Sequence, residues 1–485
     1  MTSKKDELKK VIEQIPSTQF KLNKKNDSSV FLDISKGIAE VIPVRGDKFK
    51  KVIRQKAKQI GLRLKQAQVD ELVEEFDAIA FENDEVIEAQ IRYALSEDKQ
   101  TVWIDLCNGS IAKLSAGKVA LVDVVDDGIY FSRPTYQLPM TMPNVEIDSG
   151  GIKKALKQFK SLVNIDTNTF FLLLGYMTYV MSNPKARGVP YPILAIQGEK
   201  GCGKSFTCNN VLRGLLDPSS MSGLSLTRKM NDFMLVINSM YLSVFDNLRS
   251  LTKEQSDILC TTATNGSTAK RELYSDTQLT VLQLHSPLVL NGIHDYIKES
   301  DLASRCVHIK LQPMPEKMRR TEQELKADLE ALKPDLFGAL LVLSSKILIE
   351  LESVKVIYSA RMMDFAKWLS ALEVVLNLPE AQLQKMYAEN VKSLMASGTA
   401  DDSLTIALQK LVKTLGVGEA WQSTPSALLE KLYDFENSQF LPKGAGALSA
   451  KLKGQEASLN ANGIYLKFGR GSERFVMVSS KMLVE

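Results

Sequence analysis

The chain has 485 residues, 44% of them hydrophobic and 24% charged, and its 61 Lys and Arg against 57 Asp and Glu leave a formal charge of +4. This is an ordinary globular composition, and it excludes collagen-like, disordered and disulfide-dense classes. The cysteines form no CxxC pair, the first residues contain no apolar signal-peptide core, and the longest apolar run, 170–181, is too short to span a bilayer. We therefore expect a cytoplasmic protein of about three domains, without a disulfide framework, a zinc site or a membrane span.

Charge is distributed unevenly at the start of the chain. Residues 1–60 carry a net charge of +8 (15 basic against 7 acidic), and the segment from there to residue 100 carries −7 (4 against 11). The Lys-rich residues 1–30 predict a basic mobile tail. Apolar periodicity predicts helices over 49–95, and short apolar runs separated by Asn-Gly, Ala-Gly and Asp-Gly predict strands over 100–132. We expect an α+β N-terminal domain over 31–148, which has no motif that we can connect to chemistry.

The middle of the chain alternates strand and helix patterns. Three apolar runs rich in leucine and β-branched residues, at 191–197, 241–247 and 286–292, are typical of buried parallel strands. The pattern predicts an α/β core with leading helices over 149–315. Helical residues almost throughout the next segment predict a helical domain over 316–400.

The first apolar run ends at a glycine-rich loop. Residues 198–205 read GEKGCGKS, which satisfies G-x-x-x-x-G-K-[ST], and a helical pattern follows, as this motif requires. Its glycines let backbone N–H groups face phosphate oxygens at a helix N-terminus. Lys204 would neutralise charge on the β- and γ-phosphates, and the Ser205 hydroxyl would bind Mg²⁺. The sequence therefore predicts a site for ATP and Mg²⁺, with a chance glycine turn as the alternative.

Polar residues at the ends of the later runs could complete this site. Asp246 closes the second run and could hold the metal, and Asn291 closes the third and could hold the attacking water; a turn residue is the alternative for each. Asn247 follows, and because an amide can orient water but cannot accept its proton, the general base stays open. Arg305 precedes an alternating edge strand, from which it could project toward the nucleotide of a neighbouring subunit, although such an arginine is usually a surface charge.

The sequence order GEKGCGKS, LSVFDN, LVLNG and DLASR is similar to that of the AAA+ ATPases. The compact spacing of the first three resembles the superfamily 3 helicases and the related ATPases of phages and integrated mobile elements. This likeness implies Walker A residues at Lys204 and Ser205, a Walker B residue at Asp246 and sensor 1 at Asn291. It also implies an arginine finger at Arg305 and sensor 2 at Arg361, at the start of a lid helix. The nucleotide-binding residues that it implies are Gly198, Gly201, Gly203, Lys204, Ser205, Phe206 and Arg361. Asn247 departs from the Asp-Glu pair of most AAA+ proteins.

The interval between Asp246 and Asn291 is the expected place of a pore loop. Related helicases carry a hairpin or loop there that faces a central pore and tracks the DNA backbone. Lys270 and Arg271 are candidates for contact with single-stranded DNA. A nucleotide or intersubunit contact is an equal alternative for Arg271.

Residues 401–485 have the pattern of a winged-helix domain: helix, short apolar connection, helix, turn, helix and two strands. The stretch 401–439 has a net charge of −3 (3 basic against 6 acidic), whereas 440–481 has +5 (7 against 2). The basic part coincides with the recognition helix and wing, which suits contact with duplex DNA, although winged helices also bind proteins. The DNA-binding candidates here are Lys451, Lys453 and Arg470.

The leading interpretation is a ring-forming, ATP-hydrolysing DNA motor. We expect a replicative helicase of a phage, plasmid or integrated element, assembled as a hexamer, with a primase or another replication protein as a partner. Two alternatives stay open: an AAA+ initiator or helicase-loader ATPase that remodels protein–DNA complexes, and an ATP-switched DNA-binding regulator, which Asn247 makes conceivable.

Overall fold

The structure of the chain is a computed structural model with a mixed α/β fold. Helices pack on sheets of parallel and of antiparallel strands, in agreement with the predicted fold class at this level. The residues that the structure describes are 4–24, 28–35, 37–125, 128–221, 223–226, 230–271, 279–293, 295–315, 317, 319–416, 419–470 and 474–481.

The N-terminal region contains two sheets. One has the strand order β4-β1-β2-β3-β10-β5, and the other is the antiparallel meander β6-β7-β8-β9. Phenylalanine side chains pack between the helices and the first sheet. The rings of Phe20 and Phe76 stack with their centroids 4.8 Å apart. The elements are α1 (Lys4–Ile12), β1 (Phe20–Asn23), β2 (Ser28–Asp33), β3 (Glu40–Pro43), α2 (Asp47–Gln59), α3 (Gln66–Asn83), β4 (Val86–Ile87), β5 (Ala89–Gln90), β6 (Tyr93–Leu95), β7 (Val102–Asp105), β8 (Ile111–Ser115), β9 (Lys118–Val122) and β10 (Tyr130–Ser132).

Two predictions for this region are wrong. The expected tail is ordered over 4–24, where Val11 and Phe20 are fully buried in the N-terminal core. Apolar residues at helical spacing lie among the lysines, and this stripe anchors the segment, which net charge does not reveal. The helical prediction over 49–95 extends too far, because α3 ends before Asp84, whose φ of 50° is left-handed, and short strands follow.

The central sheet is parallel and follows the predicted apolar runs. Its strand order is β12-β15-β11-β16, and the backbone of Leu224 pairs with the outer edge of β12. A hairpin, β13 and β14, stands apart from this sheet. The elements of this region are α4 (Ser149–Leu162), α5 (Thr167–Ser182), β11 (Ile193–Gln197), a π-helix (Phe206–Arg213), α6 (Gly214–Leu216), α7 (Met230–Ser239), β12 (Ser243–Leu248), α8 (Lys253–Ala263), β13 (Gly266–Arg271), β14 (Leu279–Leu284), β15 (Leu288–Gly292), α9 (Ser300–Ala303) and β16 (Cys306–Lys310).

Three long helices that follow the sheet in the chain pack against α5. They are α10 (Glu322–Glu350), α11 (Met363–Leu376) and α12 (Gln382–Thr399). The apolar run 170–181 belongs to α5, which is buried between the sheet and these helices, and the Trp368 Nε1–H donates a hydrogen bond to Thr178 Oγ1 at 3.0 Å. Among the described residues, no helix has both the length and the hydrophobicity needed to cross a bilayer.

The C-terminal region has its own apolar core and a three-stranded antiparallel sheet, in the order β17-β19-β18. The predicted helices and strands are present, the connection around Trp421 is itself a strand, and an additional short helix, Glu456–Ala461, precedes the last two strands. The elements are α13 (Ser403–Lys413), β17 (Ala420–Ser423), α14 (Pro425–Tyr433), α15 (Ala445–Gly454), α16 (Glu456–Ala461), β18 (Tyr465–Arg470) and β19 (Arg474–Ser479).

Candidate active site

The glycine-rich loop 198–205 leaves the carboxyl end of β11 and leads into the π-helix. Gly201 and Gly203 have φ angles of 82° and 96°, which side-chain-bearing residues rarely adopt. The Lys204 ammonium donates hydrogen bonds of 2.7 Å to the carbonyls of Gly198 and Glu199. The lysine is therefore held over the loop, at the edge where the strands of the parallel sheet end.

The polar residues predicted from the later runs converge on this loop. The Ser205 hydroxyl lies 3.4 Å from Asp246 Oδ2, and the Asn291 amide donates a hydrogen bond to Asp246 Oδ1. Asn291 pairs with Ile196 in the sheet register, so it lies two residues before the loop on the adjacent strand. Carboxyl ends of parallel strands meet at one edge, which brings together residues that are distant in sequence.

The donor set at this edge suits a hard cation. Mg²⁺ takes oxygen ligands, usually one or two carboxylates together with substrate phosphates and water. Asp246 supplies a carboxylate and Ser205 a hydroxyl within hydrogen-bonding distance of each other. Asn291 Oδ1 is buried and has no hydrogen-bond partner among the described residues, so it can accept from a bound water. These side chains fit Mg²⁺ with a polyphosphate.

The structure also locates two other residues that were predicted for the site, Asn247 and Phe206. Asn247 is exposed at a bulge in β12 with a φ of 58°, and its backbone N–H donates to Asp246 Oδ1 at 2.7 Å. Asparagine tolerates this left-handed conformation better than most residues. The Phe206 side chain is buried in the central hydrophobic core, so only its backbone is available to the loop.

A glycine that the sequence reasoning missed supports Asp246. A Cβ on Gly223 would lie 2.8 Å from Asp246 Cβ, so the absence of a side chain lets the segment 223–226 run against β12. There the Asp246 N–H donates to the Leu224 carbonyl at 2.9 Å. No local sequence signal marks this pairing, because a single bridge has no periodicity.

Arg305 and Arg361 lie together at the opposite edge of the sheet. Arg305 immediately precedes β16, and its Nη1 is 2.6 Å from Asp301 Oδ1. Arg361 Nη1 lies 3.3 Å from the same oxygen. Partial burial would raise the pKa of Asp301, but the hydrogen bond from Arg305 and the charges of both arginines hold it below its ordinary value. The sequence alone does not identify Asp301 as a site residue, because it is only the first member of the DLASR motif.

The pore-loop candidates are located by their backbone alone. Lys270 pairs with Thr280 and Arg271 with Leu279 in the β13–β14 hairpin, which follows α8. The interval between Asp246 and Asn291 therefore does contain a hairpin. The side chains of Lys270 and Arg271 lie outside the described residues.

The C-terminal candidates separate into two kinds. Lys453 and Arg470 are exposed, with the Lys453 ammonium 5.3 Å from the centre of the Phe468 ring. Lys451 is instead in a partly buried ion pair, 2.8 Å from Asp402 Oδ1. The expectation that Lys451 faces DNA needs correction, because its charge joins α15 to the start of α13.

Comparison with known proteins supports the resemblance found from the motifs. Residues 157–389 match a protein family described as actinomycete integrative conjugative element replication proteins. This confirms the predicted likeness to the replication proteins of mobile elements. No curated protein matches the chain.

Solved structures also align over most of the chain, at low similarity. One is described as SCCmec type IV Cch, an active helicase; it is 10% identical, with 95% of this chain and 92% of that chain covered and a TM-score of 0.47. Another is the C-terminal region of NrS-1, 9% identical, with 95% of each chain covered and a TM-score of 0.39.

Proposed function

We propose that the chain is an ATP-hydrolysing replication motor of a mobile genetic element, a DNA helicase that works as a ring. The observation that carries this proposal is the convergence of Ser205, Asp246 and Asn291 beside the Lys204 loop. The family match over 157–389 supports a replication role.

The residues of the site divide the work of phosphoryl transfer. Lys204 and the loop N–H groups stabilise charge on the β- and γ-phosphates of ATP, and Ser205 and Asp246 hold Mg²⁺. Bound Mg²⁺ would neutralise developing charge on the phosphate oxygens. Asn291 orients the attacking water through its Oδ1, which has no hydrogen-bond partner among the described residues. Asn247 can contribute orientation but not proton abstraction.

The topology favours the AAA+ arrangement. The nucleotide loop follows β11, the strand between β15 and β16, and Leu224 extends the sheet beyond β12. Arg305 lies at the amino edge, whereas its own chain's loop lies at the carboxyl edge. An arginine there acts on hydrolysis only if a second copy brings its loop to it, so we propose a closed ring, hexameric as in the related ATPases.

Two regions would contact DNA. The C-terminal region has the element order of a winged helix, with Lys453 on the recognition helix and Arg470 at the wing facing solvent. The β13–β14 hairpin, with Lys270 and Arg271, would track single-stranded DNA in the pore. A primase or another replication protein remains the proposed partner.

One observation favours a second candidate, an ATP-switched regulator or a loader. Asn247 stands where most hydrolysing relatives have an acid, and it is exposed and makes no side-chain hydrogen bond within the described part of the chain. A slow or conditional ATPase suits a protein that remodels a complex once and then stops.

Strand displacement on forked DNA tests the proposal. The motor displaces a strand only with ATP and Mg²⁺, a loader hydrolyses ATP without displacement, and a regulator binds DNA with little turnover. Lys204→Ala should abolish displacement, whereas Lys200→Ala, which removes an exposed charge from the same loop, should leave it near wild type. Strand displacement without ATP would overturn the helicase assignment. Rapid ATP hydrolysis without strand displacement would overturn it as well.

A further inference from the structure

The Asp301 carboxylate joins two arginines from separate parts of the chain. Arg305 binds it through Nη1 at 2.6 Å and also donates to the Asp301 carbonyl at 2.7 Å. Arg361, just before α11, approaches the same carboxylate oxygen at 3.3 Å. One negative charge is thus shared by two positive ones, and the cluster of Asp301, Arg305 and Arg361 keeps a net positive charge.

This cluster is remote from the chain's own nucleotide loop. Cys306 pairs with Ile193 at the start of β11, and Lys310 pairs with Gln197 at its end, directly before the loop. Five residues of extended strand, about 16 Å at 3.3 Å per residue, separate the two edges. Since Arg361 shares Asp301 with Arg305, it too lies at the amino edge.

The two arginines differ in how far they face solvent. The Arg305 side chain is 8% exposed, and its Nε is buried with no hydrogen-bond partner among the described residues. The Arg361 side chain is 50% exposed, and among the described residues its ion pair is the longer contact to Asp301. Arg361 is therefore the more accessible of the two guanidinium groups to an approaching ligand.

We propose that Arg361 acts in trans, together with Arg305, on the nucleotide bound by the neighbouring copy. This inference rests on the proposed function and changes the role that family resemblance gives Arg361, which is to sense its own chain's nucleotide. A triphosphate carries more charge than one carboxylate and accepts bidentate hydrogen bonds from guanidinium groups. It can therefore draw Arg361 away from Asp301, while Asp301 keeps Arg305 oriented.

Mixing inactive variants tests this assignment. An Arg361→Ala subunit keeps its Lys204 loop, and a Lys204→Ala subunit keeps its arginines. If Arg361 acts in trans, a mixed ring contains interfaces with both intact. In a random one-to-one mixture, about one quarter of the head-to-tail interfaces are of this kind, so turnover should rise toward that fraction of wild type. If Arg361 acts in cis, no subunit in the mixture has a complete site.

A parallel mixture separates this inference from the proposed function. Arg305→Ala with Lys204→Ala should be rescued in any ring with a trans arginine. Rescue in the Arg305→Ala mixture but not in the Arg361→Ala mixture would overturn only the inference. Failure of both mixtures, with subunit exchange demonstrated, would overturn the trans ring itself. Turnover near wild type in Arg361→Ala alone would also overturn the inference.

Nucleotide affinity supplies a second readout. Arg361→Ala and Arg361→Gln should bind a fluorescent ATP analogue as tightly as wild type in dissociated subunits, because the subunit's own loop is untouched, while turnover in the ring falls. Lys367→Ala, an exposed cation on α11, is the matched control and should change neither quantity. Weaker binding by dissociated Arg361 variants with unchanged melting would indicate a cis contact and overturn the assignment.

Discussion

The two edges of the central sheet hold their polar residues in different ways. At the carboxyl edge, the glycine-rich loop holds Lys204, and Asp246 on β12 lies 3.4 Å from the Ser205 hydroxyl. At the amino edge, two arginines share Asp301, about one strand length away from the glycine-rich loop of their own chain. If the chain works as the proposed ring, the carboxyl edge of one copy is half of each active site and the amino edge of the next copy is the other half. On that proposal, nucleotide binding is separated from activation, and assembly is a condition for hydrolysis.

The largest effect is expected at the carboxyl edge. Lys204→Ala removes the cation aimed at the β- and γ-phosphates, and Asp246→Ala removes the metal carboxylate, so phosphate release should fall to background in both. Lys200→Ala should keep wild-type turnover. Circular dichroism and melting show whether each variant is folded. Substantial Mg²⁺-dependent turnover in folded Lys204→Ala or Asp246→Ala protein would mean that the site lies elsewhere.

At the amino edge, the expected loss is smaller and affects hydrolysis alone. Arg305→Ala should lower turnover by about 10³–10⁵-fold, as loss of a trans arginine does in related phosphoryl transfer, while nucleotide binding is retained. Arg320→Ala, which removes an exposed ion pair with Asp328, is the control and should stay near wild type. Loss of both nucleotide binding and turnover in Arg305→Ala would contradict the assignment of binding to the carboxyl edge and of activation to the amino edge.

The sequence predicts the carboxyl edge well because its signals are local. Residues 198–205 form one contiguous motif, and Asp246 and Asn291 each end an apolar run. The amino edge depends on tertiary packing, since a motif spacing does not reveal that Arg361 meets Asp301. Net charge misleads in the same way for Lys451, whose partner Asp402 is 49 residues away.

Acid should lower the free energy of unfolding, because two histidines, one near each edge of the central sheet, are buried. Burial lowers the pKa of His285, near the amino edge, and of His308, on β16 beside Gln197, to about 4. An unfolded histidine titrates near 6.5, so the unfolded chain binds more protons and stability falls as pH drops from 6.5 toward 4. At pH 5 the loss is about 2 kcal/mol for each histidine.

Urea unfolding at pH 7 and pH 5 measures this effect. His285→Asn and His308→Gln should each make the decrease between the two pH values smaller than in wild type. The same decrease in wild type and both variants would show that these histidines are not the groups responsible.

The smallest effects are expected in the C-terminal region. Arg470→Glu in the full chain should weaken duplex binding and lower the slope of log affinity against log salt by about 0.9 for each DNA phosphate that the protein no longer neutralises. Lys451→Glu should instead cost about 1 kcal/mol of stability by facing Asp402, with the salt slope retained. The reverse pattern would restore Lys451 as a DNA-binding residue and assign Arg470 to another surface.

Dilution of the wild-type protein tests the central claim most directly. If each hydrolytic site joins the carboxyl edge of one copy to the amino edge of the next, ATP turnover per subunit should collapse over the same concentration range in which mass photometry shows the ring dissociating. Added DNA that holds the ring together should shift both curves equally. Turnover per subunit that stays constant while the assembly falls apart to single chains would contradict the account, since one chain would then contain a complete site.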